Sequence, residues 1–142
     1  MTSQLQILVP ATGRSQRMGT HKLLIEVGNR TVIEHLLNTL ADAYGWAAIA
    51  VSCRPEDVAL QHRLQRLGPL RLVIPNPAPV DMRASVEQLV ESVGRAPEKP
   101  TVTGWMLIPA DHPVVEPTVL QRLDEAHREH REGIVVPVHQ GR

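Results

Sequence analysis

The sequence predicts an α/β protein built on a mostly parallel sheet with helices on both faces. Two observations predict it. Apolar runs of strand length alternate along the 142-residue chain with longer segments of helical periodicity. That alternation is typical of parallel sheets covered by helices. The first apolar run, residues 5–9, also leads directly into a turn rich in glycine and cations, and ligands bind such sheets beyond the carboxyl ends of the strands.

The chain is predicted to open with a strand, a helix and a second strand. Residues 5–9 form a mainly apolar run that only Gln6 interrupts, as expected of a buried strand. In residues 31–43 apolar side chains recur at helical spacing, and Thr31 and Glu34 match a capping box. Residues 46–51 are predicted to be the second strand.

Residues 55–67 are predicted to form the second helix. Pro55 suits the first position of a helix, and the pair Gly68-Pro69 is expected to end it. Residues 70–74 then form the third predicted strand. Three prolines in residues 75–81 predict a loop.

The remaining segments repeat the same alternation. They are a helix at 82–93, a polar turn at 94–100, a strand at 102–108, a helix at 117–130 and a fifth strand at 134–138. With the carboxyl ends of parallel strands at one edge, four segments are expected to meet there, namely 11–22, 52–54, 75–83 and 109–113.

Composition excludes several classes of partner. The 15 basic and 15 acidic residues cancel, which argues against nucleic-acid binding, and the scarce aromatic residues offer few platforms for base stacking. Cys53 has no second cysteine to pair with, as expected in a reducing compartment. Neither a secretory signal nor an apolar run long enough for a membrane span is visible. We therefore expect a cytoplasmic protein without membrane or nucleic-acid partners, possessing the size at which α/β chains often form homodimers.

The turn after the first strand has the composition of a phosphate-binding loop. Gly13 and Gly19 let backbone N–H groups converge on an anion, while Arg14, Arg17 and Lys22 supply positive charge. The spacing fits neither the Walker loop nor the dinucleotide fingerprint. We therefore predict a polyphosphate ligand held by a third kind of loop, against the alternative of a surface connection with solvated cations.

Asp111 follows the predicted strand 102–108 and is the candidate metal ligand. Its carboxylate would lie at the same edge as the phosphate loop, and Mg²⁺ is usually held by one or two carboxylates together with phosphate oxygens. The alternative is an ordinary turn aspartate.

Two further residues are candidates for nucleotide contacts. Asn76 opens the loop after the third strand and could bond a base or sugar, or serve only as a turn residue before Pro77. Ser85 lies in the first turn of a predicted helix, where free N–H groups favour an anion, or it is a helix-terminal side chain without a ligand.

These residues together resemble the MobA-like NTP transferases, the nucleotidyltransferases of molybdenum-cofactor maturation. Residues 10–24, PATGRSQRMGTHKLL, resemble the family's LAAGxSxRMGxxK loop, and residues 28–35 resemble its GGRPLIEH segment. Residues 76–77 and 81–86 are similar to its NP and GMSSSL segments, and 109–113 to its ADxP turn. Family members continue beyond this point, so we expect residues 1–142 to be a single nucleotidyltransferase-like domain that lacks the C-terminal part of the family fold.

The resemblance implies a three-layer, Rossmann-like fold of the nucleotide-diphospho-sugar transferase type and an Mg²⁺-dependent nucleotidyl transfer from CTP or GTP to a phosphorylated acceptor such as molybdopterin. Pyrophosphate would leave. The implied catalytic residues are Arg17, Lys22 and Asp111, with Asp111 also the metal ligand. The implied nucleotide-binding residues are Ala11, Thr12, Gly13, Arg14, Ser15, Gly19, Asn76 and Ser85. The GMSSSL-like segment favours the cytidylyl-transferring branch.

Two other functions remain open at this point. One is a sugar- or alcohol-phosphate nucleotidyltransferase, which shares the loop but takes another acceptor. The other is a nucleotide-binding module without turnover. Pyrophosphate release separates both transferases from the binding module.

Overall fold

The computed structural model describes residues 4–13, 21–97, 101–112 and 115–138. In chain order the elements are β1 (Gln4–Ala11), β2 (Glu26–Val27), β3 (Arg30–Thr31), α1 (Val32–Tyr44), β4 (Ile49–Cys53), α2 (Val58–Leu67), β5 (Arg71–Val73), α3 (Met82–Gly94), β6 (Val102–Leu107) and α4 (Pro117–Glu129).

The main sheet has four strands in the order β5-β4-β1-β6, and every pairing in it is parallel. β1 lies in the interior of the sheet, with Ile7 opposite Ile49 of β4 and Met106 of β6. Because the strands are parallel, all four carboxyl ends lie at one edge, which we call the carboxyl edge.

The sheet is covered on both faces, which confirms the predicted three-layer α/β fold. On one face, apolar side chains of α1, α2 and α4 pack on alternate residues of β1, β4 and β6. On the other, Leu89 and Val93 of α3 pack against Leu8 and Ala50. The alternation of side chains along a strand sends each apolar set to its own helix layer.

β6 is an edge strand with one poorly covered face. Met106 is buried toward α4, whereas Trp105 and Leu107 point to the other face and are about half exposed. α3 covers the centre of that face, at Leu8 and Ala50.

Helix α1 begins with the predicted capping box. Thr31 Oγ1 accepts a hydrogen bond from the Glu34 N–H at 3.3 Å, and the Glu34 carboxylate accepts one from the Thr31 N–H at 2.8 Å. Burial of Glu34 raises the pKa of its carboxyl, but the Thr31 backbone bond and the positive charge of Arg63 outweigh it, so the net pKa is lowered.

A short hairpin precedes α1 and was not predicted. β2 and β3 pair antiparallel around Gly28, whose φ of 70° lies in the left-handed region that favours glycine. The His35 ring packs on this hairpin, with Nε2 2.6 Å from the Val27 carbonyl oxygen.

Two elements begin three residues later than predicted. Residues 46–48 form a 3₁₀ turn, so the second strand of the main sheet begins only at Ile49. α2 begins at Val58 rather than at Pro55, because the Asp57 side chain accepts from the Leu60 N–H and takes the N-cap position.

The predicted fifth strand at 134–138 was also wrong, since no strand is found in these residues. A strand needs a neighbour for its backbone N–H and C=O groups, and within the described ranges nothing pairs with this segment. Its apolar side chains Ile134, Val136 and Val138 are exposed. The alternation of residue types therefore indicated an extended segment but not a sheet position.

No helix in the part of the chain that the structure covers is long and apolar enough to cross a membrane.

Candidate functional site

The carboxyl edge brings together the described parts of all four predicted segments. Ala11 and Cys53 end β1 and β4 as register partners, and Pro10 pairs with Ser52 one step earlier. The loop after β5 and the turn after β6 leave the sheet at the same edge, because both strands run parallel to β1. Polar side chains on these loops then decide what the edge can bind.

A buried cluster of three hydroxyl groups joins two of these segments to the first turn of α3. Thr12 Oγ1 donates to Ser85 Oγ at 3.0 Å, and Ser85 Oγ lies 3.0 Å from Ser52 Oγ. Thr12 follows β1, Ser52 lies near the end of β4, and Ser85 lies in the first turn of α3. All three residues are buried. The hydroxyl cluster therefore ties the start of the predicted phosphate loop to the start of α3.

Ser85 is thus held by protein groups on both sides. Its predicted contact with a nucleotide remains a prediction, while the observed contacts make it a link between β1, β4 and α3. Asp81 caps the same helix, with Oδ1 accepting from the Ala84 N–H at 2.7 Å. The start of α3 is therefore fixed beside the predicted loop.

The loop between β4 and α2 contacts the predicted phosphate loop at its first residues. Arg54 Nη1 donates to the Thr12 carbonyl oxygen at 3.4 Å, and Arg54 Nε donates to Glu56 Oε1 at 2.6 Å. The Arg54 side chain is only 12% exposed. No sequence pattern indicated this contact, because an arginine after a strand is common on surfaces.

The same loop contacts the far end of the predicted phosphate loop through His21. His21 Nε2 lies 2.5 Å from Asp57 Oδ2, and His21 Nδ1 accepts from the Leu23 N–H at 3.3 Å. Lys22 lies between His21 and Leu23 in the chain and begins a 3₁₀ turn over Lys22–Leu24. Its side chain is exposed. Sequence reasoning missed both His21 and Asp57, and the one available signal was the N-cap preference for aspartate before an apolar helix.

The remaining predicted loop residues divide into two groups. Ala11 is buried in β1, whereas Gly13 is exposed and a Cβ added there would meet no atom within 4 Å. The predicted ligands Arg14, Ser15, Arg17 and Gly19 lie outside the described residues.

Asp111 and Asn76 are both exposed and lie on either side of this centre. Asp111 follows β6, with its side chain 70% exposed and Oδ1 4.0 Å from His112 Nδ1. Asn76 follows β5, the strand at the opposite end of the sheet. Both side chains are free to face solvent or a ligand, in contrast to the buried hydroxyl cluster.

The donor set suits a hard divalent cation. Asp111 supplies one accessible carboxylate, and no group of three or more His, Cys, Asp or Glu side chains poised for a metal occurs among the residues described. A single carboxylate that shares the ion with phosphate oxygens is the usual arrangement for Mg²⁺. The residues present therefore fit Mg²⁺ brought with a nucleotide, rather than a metal held by the protein alone.

Cys53 is excluded as a nucleophile. Burial, together with the nearby carboxylates of Asp57 and Glu56, raises the pKa of its thiol to about 12. The Sγ atom lies 3.6 Å from the carbonyl oxygens of Arg54 and Asp57. Cys53 therefore packs under the loop between β4 and α2.

A large apolar groove lies apart from this site. It encloses about 990 Å³ beside β6, α4 and residues 131–137, and reaches the carboxyl edge only at Pro109 and His112. Its lining lacks the cations that a polyphosphate needs, apart from Arg131. The groove is therefore a poorer match for a polyphosphate than the carboxyl edge is.

Solved structures of known proteins share this fold. The Rv0371c protein from Mycobacterium tuberculosis is 24% identical with a TM-score of 0.69, and the match covers 89% of this chain and 62% of that one. A nucleotidyl transferase from Methanothermobacter thermautotroptrophicus is 24% identical with a TM-score of 0.70, covering 87% and 58%. CMP:2-keto-3-deoxy-manno-octonic acid synthetase, solved with CTP, is 19% identical with a TM-score of 0.64, covering 92% and 49%.

The chain therefore spans about half to two thirds of the length of these structures. At such identities the likeness establishes the fold alone. Among curated proteins, no sequence matches this chain.

The family assignment comes from the sequence itself. The family model of the MobA-like NTP transferase domain matches residues 7–142, which is nearly the whole chain. The match includes β1, the predicted phosphate loop, the start of α3 and Asp111, the segments that the carboxyl edge brings together. This chain belongs to the MobA-like NTP transferase family.

Proposed function

We propose that this protein is a nucleotidyltransferase that moves a nucleotidyl group from CTP or GTP to a phosphorylated small molecule of the molybdopterin type and releases pyrophosphate. Family membership supports the reaction class. The resemblance of residues 81–86 to the GMSSSL segment supports cytidylyl transfer, as does the likeness in fold to a synthetase solved with CTP.

One observation carries the proposal. Lys22 is exposed at the carboxyl edge, directly after a loop whose two ends are both held by the β4–α2 loop. An exposed cation on the same edge as an uncrowded glycine, Gly13, suits a triphosphate, which binds to backbone N–H groups and to positive charge. Charge complementarity therefore favours a nucleoside triphosphate over a neutral ligand.

Different residues of the proposed site have different roles in the reaction. The Gly13 backbone and the Lys22 ammonium bind the phosphates, and the ammonium offsets negative charge as the α–β phosphoanhydride bond breaks. Arg17 is proposed to act with Lys22 on the same phosphates. The terminal phosphate of the acceptor forms the new P–O bond in line with the departing pyrophosphate, so positioning supplies much of the rate.

Asp111 would hold Mg²⁺ together with the phosphate oxygens. The ion, when bound, supplies Lewis-acid neutralisation of phosphate charge.

The remaining nucleotide contacts extend the site along the edge. We propose that Ala11, Thr12, Arg14, Ser15 and Gly19 contact the phosphates or base, and that Asn76 and Ser85 complete the nucleotide site. Ser85 and Thr12 are buried, so we propose that their hydroxyl groups act indirectly, by fixing the shape of the loop.

The acceptor is the open part of the proposal. A sugar- or alcohol-phosphate acceptor is the second candidate, and it is favoured by one structure of this fold, 4-diphosphocytidyl-2C-methyl-D-erythritol synthase, 21% identical with a TM-score of 0.68. A binding module without turnover is the third. We further propose that the protein acts in the cytoplasm, as a homodimer, on small molecules.

Pyrophosphate release tests the proposal. Purified protein is incubated with Mg²⁺, CTP or GTP, and either molybdopterin or a sugar-phosphate, and pyrophosphate is measured with a coupled assay. Release that depends on molybdopterin supports the proposal, and release with sugar-phosphate alone moves the protein to the second candidate. Binding of Mg-NTP without release under any condition identifies a binding module, and the absence of both overturns the proposal.

A further inference from the structure

We propose that Asp57, acting through His21, is a positioning residue for Lys22. The inference rests on the proposed function, because it assigns the task of Lys22 to the phosphates of an NTP. It concerns a different question, namely how a flexible lysine is kept at the carboxyl edge. A lysine stem has four rotatable carbons, so the position of its backbone largely decides where its ammonium can reach.

The two nitrogens of the His21 ring do different jobs. Nδ1 accepts a hydrogen bond from the Leu23 N–H at 3.3 Å, so the ring proton must be on Nε2. Nε2, which lies 2.5 Å from Asp57 Oδ2, then donates to that carboxylate. A neutral imidazole can make both bonds in one tautomer only, and the Asp57 carboxylate selects it.

Asp57 is itself anchored to the core. Its Oδ1 accepts from the N–H of Leu60 at 3.3 Å, and Leu60 is fully buried under the sheet. The Gln61 N–H donates to the Asp57 carbonyl oxygen at 3.1 Å. The carboxylate is therefore a fixed point, with only 16% of its side chain exposed.

These bonds form a continuous chain from the core to the candidate site. They run from α2 through Asp57 and His21 to the Leu23 N–H, and Lys22 lies inside the turn that this chain closes. Leu23 is buried, which fixes the other side of the same turn. The backbone of Lys22 is thus held between two anchored neighbours while its side chain stays exposed.

Asp57→Asn separates the two tasks of Asp57. The amide oxygen can still cap α2, but the amide N–H₂ now faces His21 Nε2. To accept from that group the ring must move its proton to Nδ1, and Nδ1 can then no longer accept from the Leu23 N–H. His21→Gln is a second variant, because its amide can donate to Asp57 but does not reach the Leu23 N–H.

The test measures affinity for Mg-NTP by titration calorimetry, using whichever of CTP, GTP, ATP and UTP the wild-type protein binds most tightly. We expect Asp57→Asn and His21→Gln each to weaken binding about tenfold, the effect of losing one hydrogen bond in a charged site. In a Lys22→Ala background the same substitutions should change affinity by less than about twofold, because the residue on which they act is gone.

His35→Ala is the matched control. His35 also makes a ring-nitrogen contact with the backbone, at the Val27 carbonyl, but on α1 and the hairpin rather than at the carboxyl edge. Its removal should leave Mg-NTP affinity unchanged.

Three outcomes overturn the inference. Wild-type affinity in folded Asp57→Asn and His21→Gln would show that the pair does not act on the site. Equal losses with and without Lys22 would show an effect on something other than Lys22. Failure of the wild-type protein to bind any Mg-NTP would overturn the proposed function first, and it is distinguished from the other two because it appears without any substitution.

Discussion

Two parts of the carboxyl edge, one beside β4 and one beside β6, differ in how firmly hydrogen bonds hold their side chains. On the β4 side, the buried hydroxyl cluster and the contacts of Arg54 and Asp57 fix the residues that flank the predicted phosphate loop. On the β6 side, Asp111 is 70% exposed and its nearest ionic partner, His112, lies 4.0 Å away. In the proposed site, the residues that flank the phosphate loop would be fixed before a nucleotide binds, whereas Asp111 would be positioned by the ion and phosphate that bind.

This contrast has a physical reason. Phosphate is recognised by several backbone and side-chain donors that must converge, so their positions need to be fixed before binding. A Mg²⁺ ion takes most of its ligands from water and substrate, so one accessible carboxylate is enough. A substitution among the buried contacts of the β4 side should therefore affect stability and binding together, and one at the exposed Asp111 on the β6 side should affect turnover alone.

Asp111→Asn should give the largest effect. Loss of the carboxylate charge weakens the hold on Mg²⁺, so we expect pyrophosphate release to fall about a hundredfold or more. The free energy of unfolding should stay within about 0.5 kcal/mol of wild type, because the side chain is exposed. A coupled pyrophosphate assay and urea unfolding measure the two quantities.

Asp124→Asn is the control for this charge change. It removes an ion pair with Arg128, 3.0 Å long, that lies within α4 and not in the turn of Asp111. Normal turnover by Asp111→Asn would show that Asp111 does not hold the metal ion. The structural contrast between the two sides would then have no consequence for function.

Lys22→Ala should weaken Mg-NTP binding by about ten- to a hundredfold, the range for a lost charge-assisted hydrogen bond. Its side chain is exposed, so the melting temperature without ligand should hardly change. A thermal-shift titration with NTP and Mg²⁺ measures both, since a ligand that binds the folded form raises the melting temperature. Unchanged affinity would place the phosphates away from Lys22.

Ser85→Ala tests whether the buried hydroxyl cluster stabilises the β4 side of the carboxyl edge. It leaves the Thr12 and Ser52 hydroxyls without their shared partner in a buried place, so we expect a loss of about 1–3 kcal/mol in the free energy of unfolding. Ser92→Ala is the matched control on the same helix, since within the described ranges no hydrogen bond of the Ser92 side chain is found. A loss no larger than that of the control would mean that the hydroxyl cluster does not fix the edge.

Cys53 should give the smallest effect, and it serves as a local probe. Because its pKa is raised to about 12, the thiolate is nearly absent below pH 10 in the folded protein. We expect no reaction with Ellman's reagent at pH 8 until urea unfolds the chain, when the pKa falls back to its ordinary value. Rapid labelling of the native protein would show that the β4–α2 loop opens.

The sequence predicted the layers and the edge but not the contacts that hold the edge. Glycine spacing, cations and strand order are local patterns, so the loop at Gly13 and the place of Asp111 could be read directly. The bonds between Thr12 and Ser85, and between His21 and Asp57, join residues 73 and 36 positions apart. Serine, histidine and aspartate are common in turns, and only the packing of α2 and α3 on the sheet selects these particular partners.

The fifth strand failed for a related reason. Apolar residues in alternation at 134–138 indicate extended backbone, but a strand is a property of two neighbours. The prediction that α2 begins at Pro55 was wrong for a simpler reason. The side chain of Asp57, two residues later, makes the better cap.

The two tryptophans differ in exposure, so fluorescence can distinguish them. Trp46 lies against Gly68, where an added Cβ would come within 2.6 Å of the indole, while Trp105 on β6 is 46% exposed. With one tyrosine and no phenylalanine in the chain, these indoles dominate its ultraviolet emission. Acrylamide should therefore quench Trp105 first, and the residual, blue-shifted emission would report on the packing of Trp46 before β4.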